Sequence, residues 1–313
     1  MSRNNVLHKA NKAKEDEFYT KISDIEKEMK HYKSYFDGKI VFCNCDDPEY
    51  SNFWNFFKLN FEYLNLKKLV STYYNKGGQS YKLECENKID NSGKPLIKIT
   101  KTILDGDGDF RSKECIEILK ECDIVVTNPP FSLFREYIAQ LIEYNKKFII
   151  IGNQNAITYK EVFHLIKENK IWLGYNNGDM EFRVPQYYEA RKTRFRVDED
   201  GIKYRSFGNI CWFTNLDINK RHEDIILYKK YNESEYLKYD NYDAINVNKT
   251  SEIPIDYNGV MGVPITFLHK YNPEQFEIIK FRKGEDEKDL SINGKCPYFR
   301  ILIKHKSKKE VIK

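Results

Sequence analysis

The chain has 313 residues, 41% hydrophobic and 32% charged, with a net charge of +5. That is enough for one large α/β domain, or for a core carrying a second lobe. The longest apolar runs are a few residues, which excludes a membrane-spanning helix, and the polar, basic stretch Met1 to Lys14 is no secretory signal. Seven cysteines stand at 43, 45, 85, 115, 122, 211 and 296, with no C-x-x-C pair, and Cys43-Asn44-Cys45 is too close for a zinc knuckle. They read as reduced thiols of a cytoplasmic protein, with no metal site. The charge is unevenly spread. Lys295 to Lys313 holds seven Lys or Arg against Glu310 alone, and Arg191, Lys192, Arg194 and Arg196 form a second cluster. Such clusters can neutralise phosphates, or can be plain solvated surface.

In chain order, Ile22, Ile25, Met29 and Tyr32 recur at three and four residues and predict a helix after Thr20, ended by Gly38. Residues 39–43 read as a first strand, 51–64 as an aromatic-rich helix, and 67–73 as a second strand. Residues 75–78 and 87–94 are loop material around a hairpin. Residues 97–103 alternate as a third strand, and 115–121 form a helix. Residues 124–127 are a fourth strand, 133–144 a helix, 148–151 a fifth strand, 159–168 a helix and 171–173 a sixth strand. A polar, basic stretch from Tyr175 to Gly208 precedes a late strand at 209–214. Strands alternating with helices predict an α/β fold with a doubly wound, mostly parallel sheet. Ligands of such sheets bind at the carboxyl ends of the strands. From Asp217 the pattern is broken by Pro254, Gly259, Gly262, Pro264 and Gly284, which predicts a smaller, loop-rich lobe. The expected division is therefore 1–216, with a variable basic insert near 174–208, and 217–313.

The most informative stretch is Asn128-Pro129-Pro130-Phe131, which directly follows the strand Ile124-Val125-Val126-Thr127. Proline pushes the residue before it to an extended conformation and has no N–H of its own. The turn therefore offers acceptors, the Asn128 side-chain oxygen and the Pro129 carbonyl, which suit the two N–H bonds of an exocyclic amino group. Phe131 offers a flat apolar face for a base. The plain alternative is an ordinary strand-to-helix turn with two prolines. Asp105, Asp107 and Asp109 resemble a metal loop only superficially, because the downstream Glu of a calcium loop is missing.

Several runs resemble the EcoRI modification methylase family of DNA adenine-N6 methyltransferases, and the resemblance spans nearly the whole chain. They are residues 16–20 (Asp-Glu-Phe-Tyr-Thr), 43–48 (Cys-Asn-Cys-Asp-Asp-Pro), 106–112 (Gly-Asp-Gly-Asp-Phe-Arg-Ser) and 127–137, together with 242–250 and 256–267. The match is poorer around 174–208. The resemblance implies a class I S-adenosylmethionine-dependent, Rossmann-like methyltransferase acting on duplex DNA, with the loop-rich lobe serving recognition. It places Phe18, Tyr19 and Thr20 beside the methyl donor, although Thr20 could instead cap the helix after it. Asn44, Asp46 and Asp47 occupy the turn where the class usually has glycines, and could face the donor or cap the next helix. Asp109 and Phe110 resemble the pair that takes the donor's adenine.

By the same resemblance, Asn128, Pro129, Pro130 and Phe131 are the catalytic residues. The target adenine is flipped from the duplex, stacks on Phe131 and gives its N6 protons to Asn128 and Pro129. Arg183, Arg194, Arg196 and Arg205 are candidate base or phosphate contacts, and Asn246 and Asn248 are candidates near the target. The family prototype modifies adenine within GAATTC. A cognate restriction endonuclease would share the site without binding the chain. The rivals are the same chemistry on RNA adenine, cytosine N4 or a glutamine amide, and a non-catalytic DNA-binding protein.

Overall fold

The structure, a computed structural model, describes residues 18–45, 47–75, 77–89, 95–190 and 192–306. These residues divide into two compact units, one within 18–159 and 174–216, the other within 160–173 and 217–306.

The first unit begins with β1 (Tyr19–Thr20) and α1 (Ile22–Met29), then β2 (Ile40–Cys43), α2 (Asn52–Leu59) and β3 (Lys68–Tyr73). A hairpin of β4 (Tyr81–Ile89) and β5 (Pro95–Ile103) follows, then α3 (Lys113–Glu121), β6 (Ile124–Thr127), α4 (Phe134–Glu143) and β7 (Lys147–Asn153). Next in the chain come α5 (Lys160–Lys167), β8 (Trp172–Arg183), β9 (Phe195–Val197) and β10 (Lys203–Thr214). The helices form where the apolar spacing directs, and Ile25, Met29 and Tyr32 are all buried along the α1 stripe. Ser51 and Ser112 start α2 and α3, each accepting a backbone N–H of its first turn, from Phe53 and Cys115. All four residues of β6 are buried, as are Phe148 to Ile151 of β7. Such unbroken apolar strands belong inside a covered sheet.

The sheet order is β1-β8-β10-β7-β6-β2-β3-β4-β5, with β9 paired to β10. Only the centre, β7-β6-β2-β3, is parallel. The flanks are antiparallel, by β3–β4–β5 on one side and β10 against β7 on the other. The sheet is therefore mixed, not mostly parallel as the sequence pattern predicts. The reason is connection length: parallel neighbours need a crossover of a dozen residues, whereas β3 and β4, and β4 and β5, are separated by only a few residues in the chain. The chain leaves β2 for β3 on one side and returns to β6 on the other, so the strand order reverses between β2 and β6. The expected variable basic insert near 174–208 contributes strands to the sheet, most of β8, all of β9 and the first half of β10. Among the described residues no helix is long and apolar enough to cross a membrane, and none of the seven cysteines is in a disulfide.

The second unit carries β11 (Ala244–Asn246), β12 (Val260–Pro264), β13 (Phe276–Phe281) and β14 (Arg300–His305) in the order β11-β12-β14-β13. Tyr239, Ala244, Leu290 and Leu302 form one of its core clusters. The helix α5 belongs to this unit: Phe163 stacks on Phe281 at 4.9 Å, and Lys167 Nζ donates to the Ile279 carbonyl at 2.7 Å.

One buried polar clamp fixes α1 to β8. The fully buried Glu28 carboxylate accepts from Tyr32 Oη, the Tyr175 and Asn176 N–H groups and Asn176 Nδ2, all at 2.7–2.8 Å. Burial raises its pKa, and those hydrogen bonds oppose the rise. A Cβ at Gly174 would collide with this carboxyl and with Trp212, so glycine is required where α1 crosses the strand. Glu28→Ala strands these donors in the interior and is expected to lower stability by about 3 kcal/mol. Urea unfolding followed by circular dichroism measures it; a loss under about 1 kcal/mol would mean that water replaces the carboxylate without cost.

Candidate active site

Proline at 129 and 130 stops β6 from continuing. The Pro130 carbonyl accepts from the Leu133 N–H at 3.0 Å, and a 3-10 turn at Phe131–Leu133 leads into α4. Asn128 is thereby held at the carboxyl end of β6, beside the reversal of strand order, with 5% of its surface exposed. Its Nδ2 donates to the Phe18 carbonyl at 2.5 Å. Its Oδ1 is buried and has no hydrogen-bond partner among the described residues. A buried amide oxygen left unpaired costs about 1–3 kcal/mol, so it marks a place where a ligand proton is wanted.

Phe131 is buried next to it, with Phe18 at 5.7 Å and Phe182 and Phe207 both at 6.4 Å, ring centre to ring centre. Tyr188 closes on Phe18 at 6.3 Å. The open stacking face expected of Phe131 is thus covered in this structure. Of these rings only Phe207 is partly exposed. Phe182 and Phe207 went unrecognised in the sequence. The alternation Met180, Phe182, Val184 against Asp179, Glu181, Arg183 is the strand signal that could have found the first of them.

The other predicted site residues of the first unit converge on the same strand ends. Thr127 Oγ1 donates to the Asn44 carbonyl, and Tyr137 Oη donates to Asn44 Oδ1, which ties β2, β6 and α4 together. Burial, above all, drives the Tyr137 hydroxyl far above the usual tyrosine range and keeps it a donor. The turn has no glycine, and Cys45 takes the left-handed conformation with φ +73°. Asp46 lies outside the described residues. Asp47 Oδ1 accepts from the Glu49 N–H at 3.0 Å and from Tyr81 Oη at 2.9 Å.

Phe110 is buried edge-on to Tyr137 at 5.0 Å, and its carbonyl accepts from Gln140 Nε2 at 3.1 Å. Asp109 is engaged by an arginine that the sequence reading passed over. Arg111 Nε and N–H donate to Oδ1 at 2.8 and 2.9 Å, and Nη2 donates to Oδ2 at 2.7 Å. Burial opposes ionisation of Asp109, but the Arg111 hydrogen bonds and charge hold the carboxyl below its usual range.

Thr20 does not cap α1. It pairs with Phe182 between β1 and β8, its carbonyl accepts from Asn52 Nδ2 at 2.7 Å, and its Oγ1 is buried without a partner among the described residues. Ser80 Oγ is a second such hydroxyl, beside Gly108. Gly108 has φ +75°, and a Cβ there would collide with the Tyr73 carbonyl. The strand ends thus carry three buried, unpaired polar side-chain atoms around apolar walls. A nucleoside-like ligand with hydroxyl and amino groups matches that set.

Two of the predicted nucleic-acid residues border this site: Arg183 stands opposite Tyr19 in the β1–β8 pairing, and the Arg205 guanidinium lies 5.5 Å from the Phe207 ring centre. Arg194 Nη1 binds Asp179 Oδ1 at 2.7 Å, and Arg196 forks onto Glu181 at 2.8 Å twice. Arg183 faces Tyr50 at 5.6 Å, and Arg205 Nη1 donates to the Thr193 and Arg194 carbonyls. Asn246 and Asn248 belong to the second unit. There Asn246 Oδ1 accepts from Tyr239 Oη and Arg300 Nε, and its Nδ2 donates to Asn248 Oδ1. Both ends of that amide are used internally.

Comparison with known proteins places the chain in a family. Residues 6–306 match the model of a family described as adenine-specific methyltransferase EcoRI. The Type II methyltransferase M.EcoRI of Escherichia coli is 60% identical over 97% of this chain and 97% of its own length. M.MgeORF184P of Mycoplasma genitalium is 42% identical over 95% of this chain and 98% of its own, and M.MpnI of Mycoplasma pneumoniae 39% over 96% and 98%. No solved structure matches. With the family model matched over residues 6–306 and a relative 60% identical over 97% of each chain, the chain belongs to the EcoRI adenine-specific methyltransferase family.

Proposed function

We propose that this protein methylates the N6 amino group of a flipped adenine in duplex DNA. It would use S-adenosylmethionine and serve as the modification half of a restriction-modification pair. GAATTC is the lead expectation for its site, from the family resemblance and the relationship to M.EcoRI. The observation that carries the reading is the Asn128 amide, with its nitrogen engaged by Phe18 and its oxygen buried without a partner.

An adenine N6 group donates two protons, so Asn128 Oδ1 and the Pro129 carbonyl would accept both. That interaction draws the nitrogen lone pair out of conjugation with the ring. Phe131 would recover part of the unstacking cost, which is a few kcal/mol. Phe207, the partly exposed ring of the cluster, is the one that would give way to the base. S-adenosylmethionine supplies an electrophilic methyl group on a sulfonium centre. Phe18, Tyr19 and Thr20, with Asn44, Asp46 and Asp47, would line its amino-acid end, and Asp109 and Phe110 would take its adenine. No shifted general base is needed, because the extra proton on N6 is acidic once the new bond has formed. Rate then comes from orientation and from acceptors fixed in advance.

Sequencing DNA from cells expressing the chain tests the reading directly. A single motif carrying N6-methyladenine is expected; unmodified DNA despite folded protein would redirect the assignment to an RNA, a protein amide or a non-catalytic role.

Asn128→Ala is expected to reduce methyl transfer at least about 100-fold while duplex and donor still bind. Turnover within a few fold of the original would remove Asn128 from the mechanism. Asn128→Asp separates the two ends of the amide. An ionised carboxylate there would face the Phe18 carbonyl in a buried site, so its pKa should rise. The protonated form can donate to Phe18 and still accept from N6. Residual activity should therefore be highest at low pH and fall as the carboxyl ionises. A rate that climbs with pH in proportion to the unaltered enzyme would contradict this.

For the donor, Asp109→Ala should raise its KM about tenfold, with a smaller change in kcat. Steady-state kinetics at saturating DNA check it, and an unchanged donor KM would dismiss Asp109 as a contact.

A further inference from the structure

Strand β8 faces two ways. Phe182 points into the aromatic cluster around Asn128, while Asp179, Glu181 and Arg183 alternate onto the other face. On that face Glu181 gathers two cations from distant parts of the chain. Arg196 holds it by a two-pronged fork, and Lys21, the residue after Thr20, forms an ion pair with the same carboxylate. The Arg196 fork, joined by Lys21 and opposed by burial, draws Glu181 down to about 2, so it carries its charge at any working pH. Tyr204 backs both cations, with the Arg196 guanidinium 4.0 Å and the Lys21 ammonium 5.5 Å from its ring centre. Two residues before Glu181, the more exposed Asp179 holds Arg194 by a single contact at 2.7 Å.

We propose that Glu181 and Asp179 are internal stand-ins for DNA phosphate, which mask Arg196, Lys21 and Arg194 until a closely docked duplex displaces them. This inference rests on the reading of the protein as a DNA methyltransferase and extends it to how the duplex is selected. A carboxylate and a phosphate present the same pair of acceptors to an arginine fork. The participants are about one-fifth to two-thirds exposed, so the exchange is sterically open. The pairs are open to solvent on at least one partner, and a phosphate at bidentate distance offers the Arg196 fork the same acceptors that the carboxylate gives up. A loosely held, non-cognate duplex does not bring its phosphates to that distance. Its affinity rests on general attraction to cations, which the two carboxylates reduce. Lys21 also joins this exchange to the chain segment that contacts Asn128, because Phe18 lies three residues before it.

The test uses the full chain and two duplexes, one containing the adenine that it methylates and one without that site. Equilibrium binding is measured across a salt series for the unaltered protein, Glu181→Gln, Lys21→Ala/Arg196→Ala, and all three changes together. Glu181→Gln is expected to tighten non-cognate binding about tenfold at 0.1 M salt and to steepen the salt slope by about one to two. Cognate binding should change by less than about threefold, so discrimination falls. In the Lys21→Ala/Arg196→Ala background the same substitution should change non-cognate binding by less than about twofold. Non-cognate binding that is unchanged or weaker in Glu181→Gln overturns the proposal. So does a tenfold gain that persists without Lys21 and Arg196, because that would be a general charge effect. Should Glu181→Gln fail to fold, Asp179→Asn against Arg194→Ala carries the same comparison with the same outcomes. Failure of the underlying reading looks different: the unaltered protein would then bind neither duplex or leave the adenine unmethylated.

Discussion

The Asn128 amide can be oriented in only one way. Its nitrogen donates to the Phe18 carbonyl. Turning the amide over would set two oxygens against each other and lose that bond. The direction of the free oxygen is therefore fixed by a backbone carbonyl 110 residues earlier in the chain. Several buried polar contacts in the first unit hold the elements around those two points together. Thr127 and Tyr137 lock Asn44 to β6 and α4, Asn52 holds the Thr20 carbonyl, and Glu28 clamps α1 to β8.

Such a site costs stability. An unpaired buried acceptor costs about 1–3 kcal/mol, and Thr20 and Ser80 add two unpaired hydroxyls. The packed rings of Phe18, Phe131, Phe182 and Phe207 offset it, and they keep water from Asn128. The folded chain is thus apolar around one directed acceptor. In those surroundings a hydrogen bond to a ligand amino group is stronger than it would be in water.

The sequence made the parallel centre and the Asn128 loop legible, because both rest on local rules. Unbroken apolar runs mark β6 and β7, and two prolines after Asn128 dictate a turn whatever surrounds it. What stayed hidden depends on contacts distant in sequence. A hairpin was expected beyond residue 75, but β4 itself was not read as a strand because its burial does not alternate, and the antiparallel pairing of β10 with β7 went unforeseen. Residues 175–208 look like a polar insert because half of each strand there faces outward with charge. Phe182 and Phe207 gain meaning only once β8 and β10 are placed beside Phe18. Arg111 was overlooked for a related reason: its fork onto Asp109 is a matter of side-chain geometry that spacing does not encode. Asn246, marked as a candidate DNA contact, is consumed by Tyr239, Arg300 and Asn248, none of which composition would pair with it.

The two-faced strand β8 has a consequence for how such a protein changes over time. Near its end Met180 and Phe182 are buried, Phe182 against the aromatic cluster, while Asp179, Glu181 and Arg183 between and beside them meet the surroundings. Point substitutions can therefore revise one set while leaving the other intact, as if two messages were interleaved in a single line of text. An insertion or deletion of one residue has no such freedom. It would exchange the two sets along the rest of the strand, bringing carboxylates and guanidinium groups into the cluster and phenyl rings to the surface. Drift in this segment should consequently run through letters and never through length.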